Sequence, residues 1–111
     1  MSVSGSDAEM QAAGYLMRQG LKILKRNYRC RGGEIDLVCQ DGATLVFVEV
    51  RLRTSLKYGG AAASITPAKQ RRIVLAASHY LAGKPLPACR FDAVLHDGEN
   101  IDWIRNAFDA A

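Results

Sequence analysis

The segment Leu45-Val-Phe-Val-Glu-Val-Arg-Leu constrains the fold more than any other part of the chain. It is apolar at both parities, and a β-strand sends successive side chains to opposite faces. Both faces of this strand must be covered, which places it inside a sheet with a further layer on each side. A chain of 111 residues has room for one such sheet and its covering helices, so residues 1–111 are expected to form a single domain.

The flanking segments supply those layers. Ser6-Asp7-Ala8-Glu9 has the spacing of a capping box, followed by Ala12, Ala13, Leu16 and Met17 at helical spacing and by Gly20, which predicts a helix over 7–19. Leu21 to Cys30 reads as a strand ended by Gly32-Gly33. Glu34 to Cys39 alternates polar and apolar, Asp41-Gly42 is a turn signal, and Thr44 to Arg53 completes a hairpin. Thr66-Pro67 opens a second helix, 67–82, with Ile73, Val74, Ala77, Tyr80 and Leu81 as its buried stripe. Arg90 to Leu95 and Ile101 to Ile104 read as strands, and Lys57 to Ser64 as a loop. The order α-β-β-β-α-β-β predicts a mixed sheet: an antiparallel meander with one parallel pair across the long helix.

Glu49 and Arg51 interrupt the apolar strand, two apart and hence on one face. A buried charge costs several kcal/mol unless paired, so such residues need a partner or a task. With Asp41-Gly42 as a two-residue turn, residues whose numbers sum to 83 face each other, placing Glu34 opposite Glu49 and Asp36 one diagonal step away. Converging carboxylates are unfavourable unless a cation joins them, and hard oxygen ligands suit Mg²⁺ or Mn²⁺. The structural alternative is an ordinary Glu49–Arg51 ion pair with Glu34 and Asp36 facing water. Glu9 has two compatible readings, as a cap or as a site residue at the edge of a buried stripe. Gln70, near the start of the second helix, is placed to contact a phosphate or water.

Charge is unevenly distributed. Fourteen of the fifteen basic residues lie between Arg18 and Arg90, among only four acids, whereas the segment from Phe91 onward holds five acids and Arg105. Arg outnumbers Lys two to one, which suits phosphate recognition. Arg53, Lys69, Arg71 and Arg72 are the expected phosphate contacts. No apolar run reaches the ~18 residues of a membrane span, and Met1 to Asp7 lacks the pattern of an export signal. Cys30, Cys39 and Cys89 are odd in number and lack a C-x-x-C spacing, which points to core thiols in a reducing cytoplasm.

Tyr28-Arg-Cys-Arg-Gly-Gly-Glu-Ile-Asp-Leu, Val46-Phe-Val-Glu-Val-Arg-Leu-Arg, Tyr58-Gly-Gly-Ala, Lys69-Gln-Arg and Cys89-Arg-Phe-Asp, in this order, resemble the YraN-type family of uncharacterised bacterial proteins. The resemblance runs from about Ala8 to Phe108. It implies an α/β, restriction-endonuclease-like fold with an αβββαβ core and a mixed central sheet flanked by helices, similar to archaeal Holliday-junction resolvases. By that resemblance Asp36 and Glu49 are the strand acids and metal ligands, Glu9 the acid of the opening helix, Arg51 the replacement of a lysine, and Gln70 a helix glutamine. The implied activity is Mg²⁺- or Mn²⁺-dependent phosphodiester hydrolysis, with DNA rather than RNA as partner, no membrane, and a homodimer as in junction resolvases. Arginine donates hydrogen bonds but does not serve as a base, so two further readings stand beside the nuclease: a non-catalytic nucleic-acid-binding module, and a protein-interaction domain with a basic face.

Overall fold

Helix α1 (Gly5–Arg18) precedes three strands, β1 (Lys22–Cys30), β2 (Gly33–Asp41) and β3 (Thr44–Leu52). Helix α2 (Pro67–Leu81) then leads to β4 (Cys89–His96) and β5 (Ile101–Phe108). The computed structural model describes residues 5–52, 65–85 and 88–110. The strands form one sheet in the order β1-β2-β3-β4-β5. Only β3 and β4 run parallel; the other neighbours are antiparallel. This is an α/β architecture with a mixed sheet, consistent with a restriction-endonuclease-like fold, and β3 lies at its centre as its apolar pattern requires. Among the described residues no helix is long and apolar enough to cross a membrane.

Two cores sandwich the sheet. On one side Ala12, Ala13 and Leu16 of α1 pack with Leu37, Cys39, Val46, Val48 and Val94. On the other, Ile73, Ala76 and Ala77 of α2 pack with Ile35, Val38, Phe47, Phe91, Ala93 and Leu95. Helix α2 starts as expected: Pro67 occupies its first turn, and the Thr66 side chain accepts a hydrogen bond from the Lys69 amide at 3.1 Å.

Three local expectations are corrected. Helix α1 already includes Ser6, so Ser6 and Glu9 do not form a capping box, and the Glu9 carboxyl is engaged elsewhere. The hairpin turns on Gly42-Ala43, with Asp41 opposite Thr44. Gly42 has φ 61, as the first central residue of a type II′ turn requires, and every pairing therefore shifts by two residues from the expected register. Strand β5 extends to Phe108, because Asn106 takes a left-handed conformation (φ 52) and Phe108 stacks on Phe91 at 5.0 Å. The expected loop Lys57 to Ser64, the Tyr58-Gly-Gly-Ala motif and Arg53 lie outside the described residues.

Gly33 sets how closely α2 approaches the sheet. A Cβ there would lie 2.6 Å from the Arg72 carbonyl oxygen and 3.0 Å from the Ala76 amide, both backbone atoms of α2. Gly33→Ala is therefore expected to displace the helix and to destabilise the fold by about 1–3 kcal/mol, measured as a lower urea midpoint with an unchanged slope. An unchanged midpoint would show that α2 moves away without cost.

Candidate active site

The pairing of β2 with β3 runs from Asp41↔Thr44 to Leu37↔Val48. Beyond it each strand keeps its outer neighbour, β2 pairing with β1 to Gly33 and β3 with β4 to Leu52. The next residues of the two strands are Asp36 and Glu49. The alternation of β2 slips here: Ile35 and Val38 both belong to the α2-side core, with Leu37 on the α1 side between them. Asp36 sits at the slip. Opposite it on β1, between the Arg26–Leu37 and Tyr28–Ile35 pairs, is Asn27 with φ 51. A non-glycine residue in this region signals a local constraint.

Asp36 occupies the opening between β2 and β3, where its Oδ2 accepts the Val50 amide at 2.8 Å. A side chain thus replaces a strand-to-strand backbone bond. The side chains of Glu9 from α1 and Glu49 from β3 both lie against Asp36 and are electrostatically coupled to it, and Glu9 also neighbours Asn27. The three acids come from three elements and meet at one carboxylate. Asp36 is half-buried rather than open to bulk water, and Glu49 is only 3% exposed.

Burial, followed by the hydrogen bond to Asp36 and its charge, pushes the Glu49 carboxyl up to about 8, against the lowering pull of Lys69 and Arg51. Glu9 is raised too, by burial first and by the Asp36 charge second. Such displaced acids, gathered from separate elements, are characteristic of functional sites. They also carry a stability consequence. Between about 4.5 and about 8 the folded protein holds a proton on Glu49 that the unfolded chain has released, so stability falls as pH rises through that window. Glu49→Gln should match the parent near pH 5 and exceed it above pH 8, the gap widening by ~1.4 kcal/mol per pH unit through the window, with a smaller slope left by Glu9. Thermal melts across this range test the point; parallel curves for the two proteins would contradict it.

Cations border the acids. Arg51 lies 3.7 Å from Glu49 Oε2, and Lys69 Nζ lies 3.5 Å from the same oxygen and 2.8 Å from Glu34 Oε1. The expected Glu49–Arg51 pair is therefore present, but within a larger cluster. Glu34 is held below the usual carboxylate range by its hydrogen bond to Lys69 and then by the Lys69 charge. Burial disfavours the Lys69 ammonium, yet Glu34 and Glu49 outweigh it, so Lys69 titrates above its ordinary value. It is a fixed donor. Beside Glu9, Val50 and Arg51 a cleft of about 310 Å³ opens on the α1 side.

The structure brings Glu9, Asp36, Glu49 and Arg51 together and adds Lys69, expected from the sequence as a phosphate contact. Gln70 is elsewhere: its Nε2 donates to the Ile65 carbonyl at 2.9 Å, closing the start of α2, and it lines a second cavity with Arg71. Arg72, like Lys69, reaches Glu34 Oε1, at 3.6 Å against 2.8 Å, while Arg71 lines the second cavity. Asn27 escaped the sequence reading; its signal, a short polar residue inside a strand pattern, is weak.

A family profile described as uncharacterised protein family UPF0102 matches residues 8–95. The chain belongs to this family. A UPF0102 protein of Dechloromonas aromatica (strain RCB) is 61% identical over 106 residues, covering 96% of this chain and 88% of that relative. One from Nitrosomonas eutropha is 60% identical over 108 residues, covering 95% and 92% respectively. One from Methylobacillus flagellatus is 52% identical over 113 residues, covering 99% of this chain and all of the relative. The UPF0102 match takes in Glu9, Asp36, Glu49, Arg51 and Lys69, the residues that meet at the strand opening.

Proposed function

We propose that this UPF0102 protein acts on nucleic acid through a metal-dependent, nuclease-like site at the opening between β2 and β3. The observation that carries this reading is the convergence of Glu9 from α1 and Glu49 from β3 on Asp36 of β2, at a cost in carboxylate repulsion and burial. Among the described residues no three His, Cys, Asp or Glu are grouped as a ready-made metal cage. Two carboxylates with water completing the shell are, however, the donor set Mg²⁺ uses. The Asp36–Glu49 pair fits it, because two hard anionic donors converge where a cation would offset the charge of both.

Asp36 and Glu49 would hold Mg²⁺ or Mn²⁺, which when bound supplies Lewis acidity and a more acidic water. The protein's own groups have distinct tasks. Glu49, whose carboxyl is raised by burial and by Asp36, would release its proton to solvent on holding a cation. Lys69, anchored by Glu34, holds Glu49 from the α2 side. Arg51, 40% exposed beside the cleft, donates to the negative charge that develops on a phosphodiester. Glu9 orients Asp36 from the α1 side.

The direct test is a cleavage panel of single-stranded, duplex, flap and four-way substrates with Mg²⁺ or Mn²⁺ and with chelator. Metal-dependent cutting of any substrate, lost on chelation, is expected. Salt-sensitive binding with no cutting would favour a non-catalytic nucleic-acid-binding module, and neither binding nor cutting would leave a protein-interaction role.

A further inference from the structure

We infer that the exposed edge of β1 is the nucleic-acid-binding element, seated in a groove of duplex DNA; the inference rests on the proposed function and names the surface that serves it. Strand β1 and the turn after it carry Lys22, Lys25, Arg26, Arg29 and Arg31, all exposed, with no acid between Arg18 and Glu34. Among the described residues Lys22, Lys25, Arg26 and Arg31 enter no ion pair. Arg29 approaches Glu34 at 4.0 Å and acts on Glu9, so the row of charge leads to the acid cluster.

Charged residues on an edge strand also guard against sheet-to-sheet aggregation, and the opposite edge shows how much charge that needs. Strand β5 carries Asp102 and Arg105, with no net charge. The β1 edge carries five cations, far beyond that requirement. Their directions add a second argument. Lys25 pairs with Val38, whose side chain is in the α2-side core, and Arg26 with Leu37 in the α1-side core; residues directly opposite share a face. Cations thus project from both faces of one edge. A flat anionic surface would meet only one face, whereas the two phosphate walls of a groove flank both. The major groove of B-DNA, ~12 Å wide, admits β-structure. From Lys22 to Arg31 the edge spans ~30 Å at ~3.3 Å per residue, close to one ~34 Å turn of the duplex.

The test is binding of a fluorescent 30-base-pair duplex and of the matching single strand in chelator, across a salt series. Two paired variants of the edge, Lys25→Gln/Arg26→Gln and Lys22→Gln/Arg31→Gln, are compared with Lys84→Gln/Arg105→Gln, which removes equal charge elsewhere. Each edge pair should lower duplex affinity about tenfold at low salt and flatten the slope of log K against log[salt] by about 1.5–2, with the control close to the parent. Two edge pairs keep the test valid if one variant folds poorly. Edge and control variants that weaken binding alike, or tighter binding of the single strand, would overturn the edge assignment while leaving nucleic-acid binding intact. A parent that binds neither probe at low salt overturns both.

Discussion

Asp36→Asn and Glu49→Gln are each expected to reduce metal-dependent cleavage by roughly a thousandfold or more, about 4 kcal/mol of barrier, while binding in chelator stays intact or strengthens. Both changes remove an oxygen donor that a divalent cation needs and leave the backbone alone. Both also remove negative charge facing a phosphodiester. Loss of cleavage with retained binding separates the site from the fold, and the added stability of Glu49→Gln at high pH supplies an internal control for folding. Arg51→Lys should keep or raise activity, since the ammonium preserves the charge beside Glu49 Oε2, now 3.7 Å from the guanidinium. If the carboxamide variants cut as well as the parent, the chemistry lies elsewhere or in a contaminant.

The largest stability effect is expected far from these acids. Asp92 is fully buried on β4 and accepts hydrogen bonds from Arg90 Nε at 3.1 Å, from the Trp103 indole at 2.9 Å and from the Asn106 amide at 3.1 Å. Arg90 also reaches Asp41 at 3.0 Å, so one carboxylate ties the β2–β3 turn to β4 and β5. Asp92→Ala would strand a guanidinium, an indole N–H and a backbone N–H together. The expected cost is about 3–5 kcal/mol, which a domain of this size shows as a loss of about 15–25 °C in melting temperature. Asp92→Asn, keeping the shape and one acceptor, should lose distinctly less. Equal losses for the two variants would mean that packing, not the hydrogen bonds, decides the effect.

Much of this was legible in the chain. Apolar residues at both parities place β3 at the centre, and Glu49 and Arg51 are conspicuous because they interrupt that pattern. The same signal marks Asp92 within Phe91-Asp-Ala-Val-Leu-His, but its consequence was not read, because its partners come from β5 and from a residue in left-handed conformation. The register of the hairpin depends on which two residues form the turn, and Asp41-Gly42 and Gly42-Ala43 differ only in backbone torsions that side chains weakly encode. An error of two residues kept Asp36 and Glu49 near each other but missed that they end the ladder. Lys69-Gln-Arg-Arg reads as a solvated helix start. Only the close seating of α2 on Gly33 carries Lys69 to Glu34 and Glu49, and that closeness is visible in the sequence solely as a glycine.

Because the order of strands across the sheet is their order along the chain, most of the sheet closes through short connections. Hairpins of this kind form in about 1–10 μs. The exception is the parallel pairing of β3 with β4, whose strands end and begin at Leu52 and Cys89 with α2 between them, and closing a longer loop adds an entropic delay. Asp36 and Glu49 belong to the local hairpin, whereas Lys69 arrives with the late crossover. The topology therefore places Asp36, Glu49 and Arg51 on strands joined by a two-residue turn and brings Lys69 in through the crossover. The charge balance of the finished site thus depends on the one connection in the sheet that is not local.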